Sequence, residues 1–215
     1  MIIAVDGPVA AGKGTLARRL AAALDYAYLD TGSIYRAVAA KILAAGGDPE
    51  DAETAAAAAR NLAPIDLERD DLRLEKVGQA ASQVAAIPAV REALLAFQRG
   101  FAARPPQGPN GPRAGAVLDG RDIGTVVCPD ADVKFFLTAS VEARAARRHK
   151  ELIERGEESI YARVLQDLRE RDARDSGRAT APLRAAEDAV RLDTSDMDAD
   201  QAFAVAMAEI AKHRG

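Results

Sequence analysis

Residues 1–15 read MIIAVDGPVAAGKGT, and their pattern predicts a strand, a glycine-rich loop and a helix in succession. The first part of this stretch, Met1 to Val5, is a short β-branched, apolar run that predicts a buried strand. Asp6-Gly7-Pro8 then ends the strand in a tight turn, and Thr15 to Leu24 has the one-face apolar spacing of an amphipathic helix. A glycine-rich loop between a buried strand and a helix is typical of a phosphate-binding site, because its backbone N–H groups and the helix N-terminus both attract anions.

The charged and hydroxyl residues of this loop strengthen that interpretation. Lys13 adds a full positive charge at the start of the helix. The strict pattern G-x-x-x-x-G-K-[ST] is altered, because Gly14 stands where a hydroxyl residue is expected and the hydroxyl follows at Thr15. A glycine-rich turn without a ligand would not explain Lys13 and Thr15 at this spacing. The expected phosphate-binding residues are Gly7, Pro8, Val9, Ala10, Ala11, Gly12, Lys13, Gly14 and Thr15.

Four further short apolar strands alternate with helical stretches along the chain. They are Tyr26–Leu29, Ala116–Leu118, Val133–Leu137 and Val190–Leu192. Such alternation predicts right-handed crossovers and a mostly parallel sheet with helices on both faces. We therefore expect an α/β fold with a five-stranded parallel sheet of the P-loop NTPase type, whose ligands bind at the carboxyl ends of the strands.

The long segment between the second and third strands carries mostly helix signals. Ser33–Ala45 and Asp48–Arg60 are predicted helices, and Gln79–Ala86 with Ala89–Ala102 is predicted as a helix broken at Pro88. The expected buried side of the last helix consists of Val90, Leu94, Leu95 and Phe97.

Two other stretches of this segment lack a clear helical pattern. The charged run Ile65–Val77 is interpreted as a small hairpin. The run Arg104–Arg113, RPPQGPNGPR, is expected to be an exposed loop, because its prolines and glycines do not support a regular element.

Composition and charge exclude several classes of protein. The 215 residues suit one domain, and 48% hydrophobic with 29% charged residues is ordinary globular usage. A net charge of −4 argues against a broad nucleic-acid-binding face. The apolar runs are shorter than the ~18 residues of a membrane span, and the start lacks a basic, signal-like segment. A single cysteine, Cys128, predicts a core thiol in a reducing compartment. We expect a cytoplasmic monomer that binds neither nucleic acid nor a membrane.

Four motifs follow the phosphate loop, which ends in GKGT. They are Asp30–Arg36 (DTGSIYR), Ala81–Ala85 with Val90–Leu94, Asp119–Thr125 (DGRDIGT), and Glu170–Asp175 with Arg178 and Ala181–Leu183. Together with the loop, these motifs resemble those of the bacterial-type cytidylate kinases, which are P-loop nucleoside monophosphate kinases. They follow in order from Ile3 to about Ser195, so the resemblance covers nearly the whole chain. It implies phosphorylation of CMP and dCMP to CDP and dCDP, with ATP as the donor and Mg²⁺ as the metal.

The resemblance implies a set of arginines for the acceptor phosphate and the group in transfer. Arginine suits this task because its planar guanidinium binds phosphate oxygens bidentately and stays charged. An isolated arginine such as Arg60 is expected to be a solvated surface charge instead. The implied arginines are Arg36, Arg121, Arg171 and Arg178, and the implied catalytic residues are Lys13, Arg121, Arg171 and Arg178.

By the same resemblance, Ser82, Arg91 and Asp122 would hold the pyrimidine base. A carboxylate accepts a hydrogen bond from the amino group of cytosine and repels the carbonyl oxygen of uracil, so Asp122 is the expected selector. The alternative for Asp122 is an ion pair with neighbouring basic residues.

The remaining implied contacts concern the sugar and the metal. Asp175, with Tyr35 as a second candidate, would contact the sugar. Asp30 would orient Arg36 or a metal-bound water, and Thr15 or its bound waters would hold Mg²⁺. At least one of the arginines in the stretch 144–148 is expected to bind the donor phosphates or base.

The implied organisation is a core of residues 1–36, 114–155 and 185–215, an acceptor-binding insertion at 37–113, and a lid at 156–184 that closes over the donor. Two alternatives stay open from the residues themselves. One keeps the fold and changes the acceptor to UMP or another small phosphorylated molecule. The other is a nucleotide-binding switch without turnover.

Overall fold

A computed structural model describes residues 1–109 and 111–213, which form two compact units. Unit 1 comprises the described residues of Met1–Leu29 and Pro105–Gly215, and unit 2 comprises Asp30–Arg104. Unit 1 contains the phosphate loop and almost the whole sheet, whereas unit 2 is helical.

The sheet has five strands in the order β2-β3-β1-β4-β5. Their bounds are β1 (Ile2–Asp6), β2 (Ala27–Asp30), β3 (Ala116–Gly120), β4 (Val133–Thr138) and β5 (Val190–Asp193). Strand β1 pairs in parallel with both β3 and β4, and β4 pairs in parallel with β5. The α/β fold with a five-stranded parallel sheet is therefore confirmed, and each strand lies within two residues of its predicted bounds.

Eight helices connect the strands or extend from them in the described residues. They are α1 (Lys13–Leu24), α2 (Thr31–Ala44), α3 (Ala52–Arg60), α4 (Glu75–Val84), α5 (Pro88–Ala103), α6 (Val141–Glu154), α7 (Tyr161–Ser176) and α8 (Ala199–Lys212). The predicted helices are confirmed with shifts of a few residues at their ends, which are the least regular part of a helix.

The core of unit 1 lies between the sheet and helices α1 and α8. Ile3, Val5 and Phe135 of the strands pack with Leu20 of α1 and Ile210 of α8, and all five are at most 1% exposed. Successive strand residues point to opposite faces of a sheet. Asp6, the residue after Val5, therefore points away from this core.

The predicted hairpin over Ile65–Val77 is wrong. The structure has two short 3₁₀ turns, Pro64–Glu68 and Asp70–Arg73, and α4 follows directly. The Asp66 carboxylate accepts the Ala63 N–H at 2.9 Å, so a local side-chain bond stabilises a turn where a hairpin would need cross-strand pairs.

The predicted buried side of α5 is partly wrong. Val90 and Leu94 are buried as expected, but Phe97 is 50% exposed and Gln98 is 2% exposed. Residues 90, 94 and 98 lie four apart on one helix face, so the face is set by spacing and includes a polar residue. The buried Gln98 amide is satisfied, because it donates to the Leu94 carbonyl at 3.2 Å.

The described part of Arg104–Arg113 is a loop, as predicted, with one isolated bridge between Gly108 and Gly111. Asn110 lies outside the described residues. Across the described ranges, no single helix is long and apolar enough to cross a membrane. Only the pair α4 and α5 reaches that length and composition, and the two helices meet at an angle of 99°.

Candidate active site

The phosphate loop follows β1 and depends on two glycines. Gly7 has φ +146°, and a Cβ there would lie 2.2 Å from the Leu137 carbonyl oxygen of β4. Gly12 has φ +88° and begins α1 without any side-chain cap. The N–H groups of an uncapped helix start attract anions, so the loop presents backbone donors at the carboxyl end of the central strand.

Lys13 and Thr15 occupy different environments at the start of α1. Lys13 is 7% exposed, and its Nζ donates to the Pro8 carbonyl at 2.8 Å across the loop. Thr15 is exposed. The predicted loop therefore has its ammonium group inside the turn and its hydroxyl residue at the surface.

Gly14 lies against the carboxylate of Asp119. A Cβ on Gly14 would lie 3.3 Å from an Asp119 carboxylate oxygen, which is closer than an ordinary contact. Asp119, at the end of β3, is 6% exposed and accepts a hydrogen bond from the Tyr28 hydroxyl at 2.9 Å. No sequence motif pointed to a role for Asp119 itself, although an acidic residue near the end of a buried strand is a usable signal.

Two side chains from later elements contact carbonyl oxygens of the loop. The Thr194 hydroxyl lies 3.1 Å from the Ala11 carbonyl oxygen, and Arg144 donates to the Val9 carbonyl at 3.3 Å. Arg144 is 4% exposed and also pairs with Asp172 of α7. Of the arginines expected near the donor, Arg144 thus contacts the loop backbone.

A cavity of about 240 Å³ lies beside the loop. Its lining includes Gly12, Thr15, Arg147, Thr194, Met197 and Ala202. Sequence reasoning missed this cavity, because its walls come from α1, α6, α8 and the segment before α8, which are far apart in the sequence.

Three of the predicted arginines interact with Asp175 within unit 1. Asp175 is 2% exposed and accepts hydrogen bonds from Arg121, at 3.0 Å, and from Arg178. Burial acts to raise the pKa of Asp175, but the charges of Arg121, Arg178 and Arg171 outweigh it and hold that pKa below its usual value. The carboxylate is therefore ionised and keeps these guanidinium groups together.

Asp122 and Asp6 are both buried next to the end of β3. Asp122 is 5% exposed and precedes a π-helical turn, Ile123–Val127. The Asp6 carboxylate accepts the N–H groups of Ile123 and Gly124. Burial raises the pKa of Asp6 to about 7 despite these two bonds.

Unit 2 holds the other predicted acceptor residues. The Arg91 guanidinium lies 5.6 Å from the centre of the Tyr35 ring and donates to the Ala85 carbonyl. Ser82 of α4 is 2% exposed, and Arg36 donates to the Leu72 carbonyl at 3.1 Å.

Asp30 has a local structural role in the same unit. Its carboxylate accepts the Ser33 N–H at 3.2 Å and so caps the start of α2. Its expected action on Arg36 or on a metal-bound water stays a prediction, as do the nucleotide contacts of the other predicted site residues.

The residues near the loop suit a metal that is held mainly by phosphates. In residues 1–109 and 111–213, no three His, Cys, Asp or Glu side chains form a group that could hold a metal ion. Mg²⁺ usually binds through one or two protein oxygens together with substrate phosphates. The Thr15 hydroxyl and the Asp119 carboxylate supply oxygens of that kind.

Comparisons with known proteins agree with one another. A family model described as cytidylate kinase matches residues 3–212. A cytidylate kinase from Paramagnetospirillum magneticum is 64% identical over 213 residues, with 99% of each chain covered. One from Rhodospirillum rubrum is 59% identical, with 100% of this chain and 98% of the relative covered.

A solved structure of an uncharacterized protein from Eubacterium ventriosum has a similar fold. Its TM-score is 0.53 at 14% identity, with 99% of this chain and 98% of that chain covered. That likeness concerns the fold alone. The family match and the two close relatives go further, and they show that this chain belongs to the cytidylate kinase family.

Proposed function

We propose that the phosphate loop and the arginine cluster around Asp175 carry out the transfer of a phosphoryl group from ATP to CMP or dCMP. Membership of the cytidylate kinase family makes the chain an ATP-dependent nucleoside monophosphate kinase and not a switch without turnover. The observation that carries the assignment of residues is the clustering of Arg121, Arg171 and Arg178 on one buried carboxylate within the unit that holds the loop.

The reaction needs positioning and charge neutralisation more than a base. The second pKa of a phosphate monoester is near ~6, so CMP is largely dianionic at neutral pH. An oxygen of that phosphate attacks the γ-phosphorus of ATP in line, and the bond to the β–γ bridging oxygen breaks to release ADP. The guanidinium groups of Arg36, Arg121, Arg171 and Arg178 would neutralise the acceptor and the group in transfer.

On the donor side, Lys13 and the backbone N–H groups of the loop would bind the ATP phosphates. Mg²⁺ would be held by Thr15, with Asp119 binding its water molecules, and when bound it neutralises charge on the donor phosphates. The cavity beside the loop would take the donor base, because it opens next to Gly12 and Thr15. Residues 156–184 would act as the lid that excludes water from the donor.

On the acceptor side, Ser82, Arg91 and Asp122 would hold cytosine. Arg91 is supported by the Tyr35 ring and the Ala85 carbonyl, so its guanidinium is held in place before a nucleotide binds. Asp175 would contact the sugar while it holds the arginines. Acceptance of UMP is the alternative, and it predicts that removing the Asp122 carboxylate leaves acceptor choice unchanged.

We also propose that the protein is a cytoplasmic monomer whose partners are nucleotides, without nucleic acid or membrane. The net charge of −4 supports the absence of a nucleic-acid face. The buried single cysteine, Cys128, suits a reducing compartment.

The experiment replaces Lys13 and measures ADP production from ATP and CMP. In Lys13→Ala we expect the turnover number to fall at least about a hundredfold, because the buried charge at the phosphates is lost. Circular dichroism should show an intact fold. The matched control is Lys150→Ala, whose side chain is 77% exposed and pairs only weakly with Glu154, and it should keep wild-type turnover. Near-normal turnover in Lys13→Ala would contradict the assignment.

A further inference from the structure

We propose that Asp6 is a positioning residue for acceptor selection, because its carboxylate fixes the turn that carries Arg121 and Asp122. The inference rests on the proposed function, in which Asp122 selects cytosine. Asp6 itself touches no reacting atom in this account. It acts through the backbone that follows Asp122.

The strand register brings Asp6 to this turn. Asp6 is the last residue of β1 and lies opposite Gly120, the last residue of β3. The chain leaving β3 therefore turns beside the Asp6 side chain. One carboxylate oxygen accepts the Ile123 N–H at 2.9 Å, and the other accepts the Gly124 N–H at 2.8 Å.

The bond from Ile123 to Asp6 also helps to hold the peptide group between Asp122 and Ile123 in place. Its carbonyl oxygen accepts the N–H groups of Val126 and Val127, at 2.9 and 3.1 Å, and its N–H is held by Asp6. Both polar groups of one peptide plane are thus bonded. The plane sets the direction in which the Asp122 side chain leaves the backbone, so Asp6 controls where the proposed selector points.

Asp6 also links the phosphate loop to the turn that carries the proposed base-selecting carboxylate. It directly precedes Gly7, so its backbone continues into the phosphate loop, while its side chain holds the turn after β3. The same rigid strand end therefore positions the donor loop and the base-selecting carboxylate. Such support by residues behind the site is what precise recognition requires.

The chemistry of this position calls for a carboxylate of this length. Two acceptor oxygens serve two N–H donors, whereas an asparagine would turn its own NH₂ group toward one of them. Burial raises the pKa of Asp6 to about 7, and the neighbouring Asp122 carboxylate raises it while Lys13 lowers it. Asp6 is 4% exposed, and the two backbone N–H groups replace the water that its carboxyl group loses on burial.

The test compares acceptor selectivity in Asp6→Asn and Asp6→Glu with that of the wild type. Steady-state rates are measured with CMP and with UMP, and KM is measured separately for CMP and ATP. Loss of one buried hydrogen bond is worth roughly a factor of ten. We expect KM for CMP to rise about tenfold and the CMP-over-UMP ratio of kcat/KM to fall about tenfold, with a smaller change in KM for ATP.

The matched control is Asp132→Asn. Asp132 also accepts a backbone N–H of β1, that of Ile2 at 2.6 Å, but at the opposite end of the strand. It should leave the selectivity ratio at the wild-type value. Asp132 is exposed, so this variant controls for the loss of a carboxylate that accepts a β1 N–H group away from the turn after β3.

Each outcome decides the proposal. An unchanged ratio in folded Asp6→Asn, or an equal loss with both acceptors, overturns it. If Asp6→Asn does not fold by circular dichroism, Asp6→Glu is measured, and failure of both to fold assigns Asp6 to stability alone and overturns the proposal. Wild-type protein without CMP turnover would instead overturn the proposed function, which the same experiment shows directly.

Discussion

At the scale of single residues, Asp175 is a buried carboxylate that interacts with three arginines. Its carboxylate is 2% exposed and faces Arg121, Arg171 and Arg178. In Asp175→Asn we expect the free energy of unfolding to fall by about 3 kcal/mol, because buried guanidinium groups lose their counter-charge. Urea denaturation measures this loss, and the turnover number should fall with it because the arginines are no longer held together.

The control for Asp175 is a carboxylate in an exposed pair. Glu142 pairs with Arg169, and the two side chains are 59% and 60% exposed, so Glu142→Gln should change stability little.

The pH dependence follows from the lowered pKa of Asp175. The stability that the ionised Asp175 contributes is complete above its pKa in the unfolded chain, which is about 3.9. This stability is lost as the pH falls through the lower pKa of the folded state. The stability gap between wild type and Asp175→Asn should therefore shrink only in acid, and a gap that grows there would contradict the account.

The sequence predicted residues that belong to local motifs and missed those that act across the fold. Lys13 and Gly12 were found because their spacing follows one strand and opens one helix. The contact of Thr194 with the Ala11 carbonyl joins residues 183 positions apart. The contact of Asp6 with Gly124 likewise depends on strand order, which a linear pattern does not contain.

At the scale of elements, helices α6 and α7 contact the phosphate loop at Val9. The Val9 side chain packs against the apolar cluster of these helices, and the Val9 carbonyl accepts from Arg144. The cluster consists of Ala145, Leu152, Val164 and Leu168. This packing gives the apolar Val9 side chain partners within a loop that is otherwise suited to bind phosphate.

Val9→Ala should loosen α6 and α7 more than the rest of the unit. We expect a loss of about 1 kcal/mol in stability, because a half-buried side chain loses two methyl groups. Hydrogen exchange should become faster in residues 141–176. Val205→Ala on α8 makes the same substitution at a side chain that is 41% exposed, and it should have little effect. Equal hydrogen-exchange rates of residues 141–176 in Val9→Ala and Val205→Ala would show that Val9 does not stabilise these helices.

Regular elements were predictable where apolar periodicity was strong. The strands were found because their short β-branched runs end in polar turns, and such runs stay buried in parallel sheets. The structure of residues 65–77 was not predictable in this way, because hydrogen bonds such as the one from the Ala63 N–H to the Asp66 carboxylate stabilise its turns, rather than a pattern of burial.

For the whole molecule, the two units divide the predicted site residues between them. Unit 1 carries the phosphate loop, Asp122 and the Asp175 cluster, and unit 2 carries Ser82 and Arg91. The family match extends over residues 3–212 and so includes both units. The sequence resemblance predicted the family because its motifs are spread in order along both units.

An acceptor panel with purified wild-type protein tests the proposed preference for CMP and dCMP. ADP production from MgATP is measured with CMP, dCMP, UMP, AMP, dTMP and no acceptor in parallel. The account predicts rapid turnover with CMP and dCMP and much slower turnover with the others, because Asp122 accepts from the cytosine amino group. Equal or faster turnover with UMP, or ADP production that does not depend on an acceptor, would contradict it.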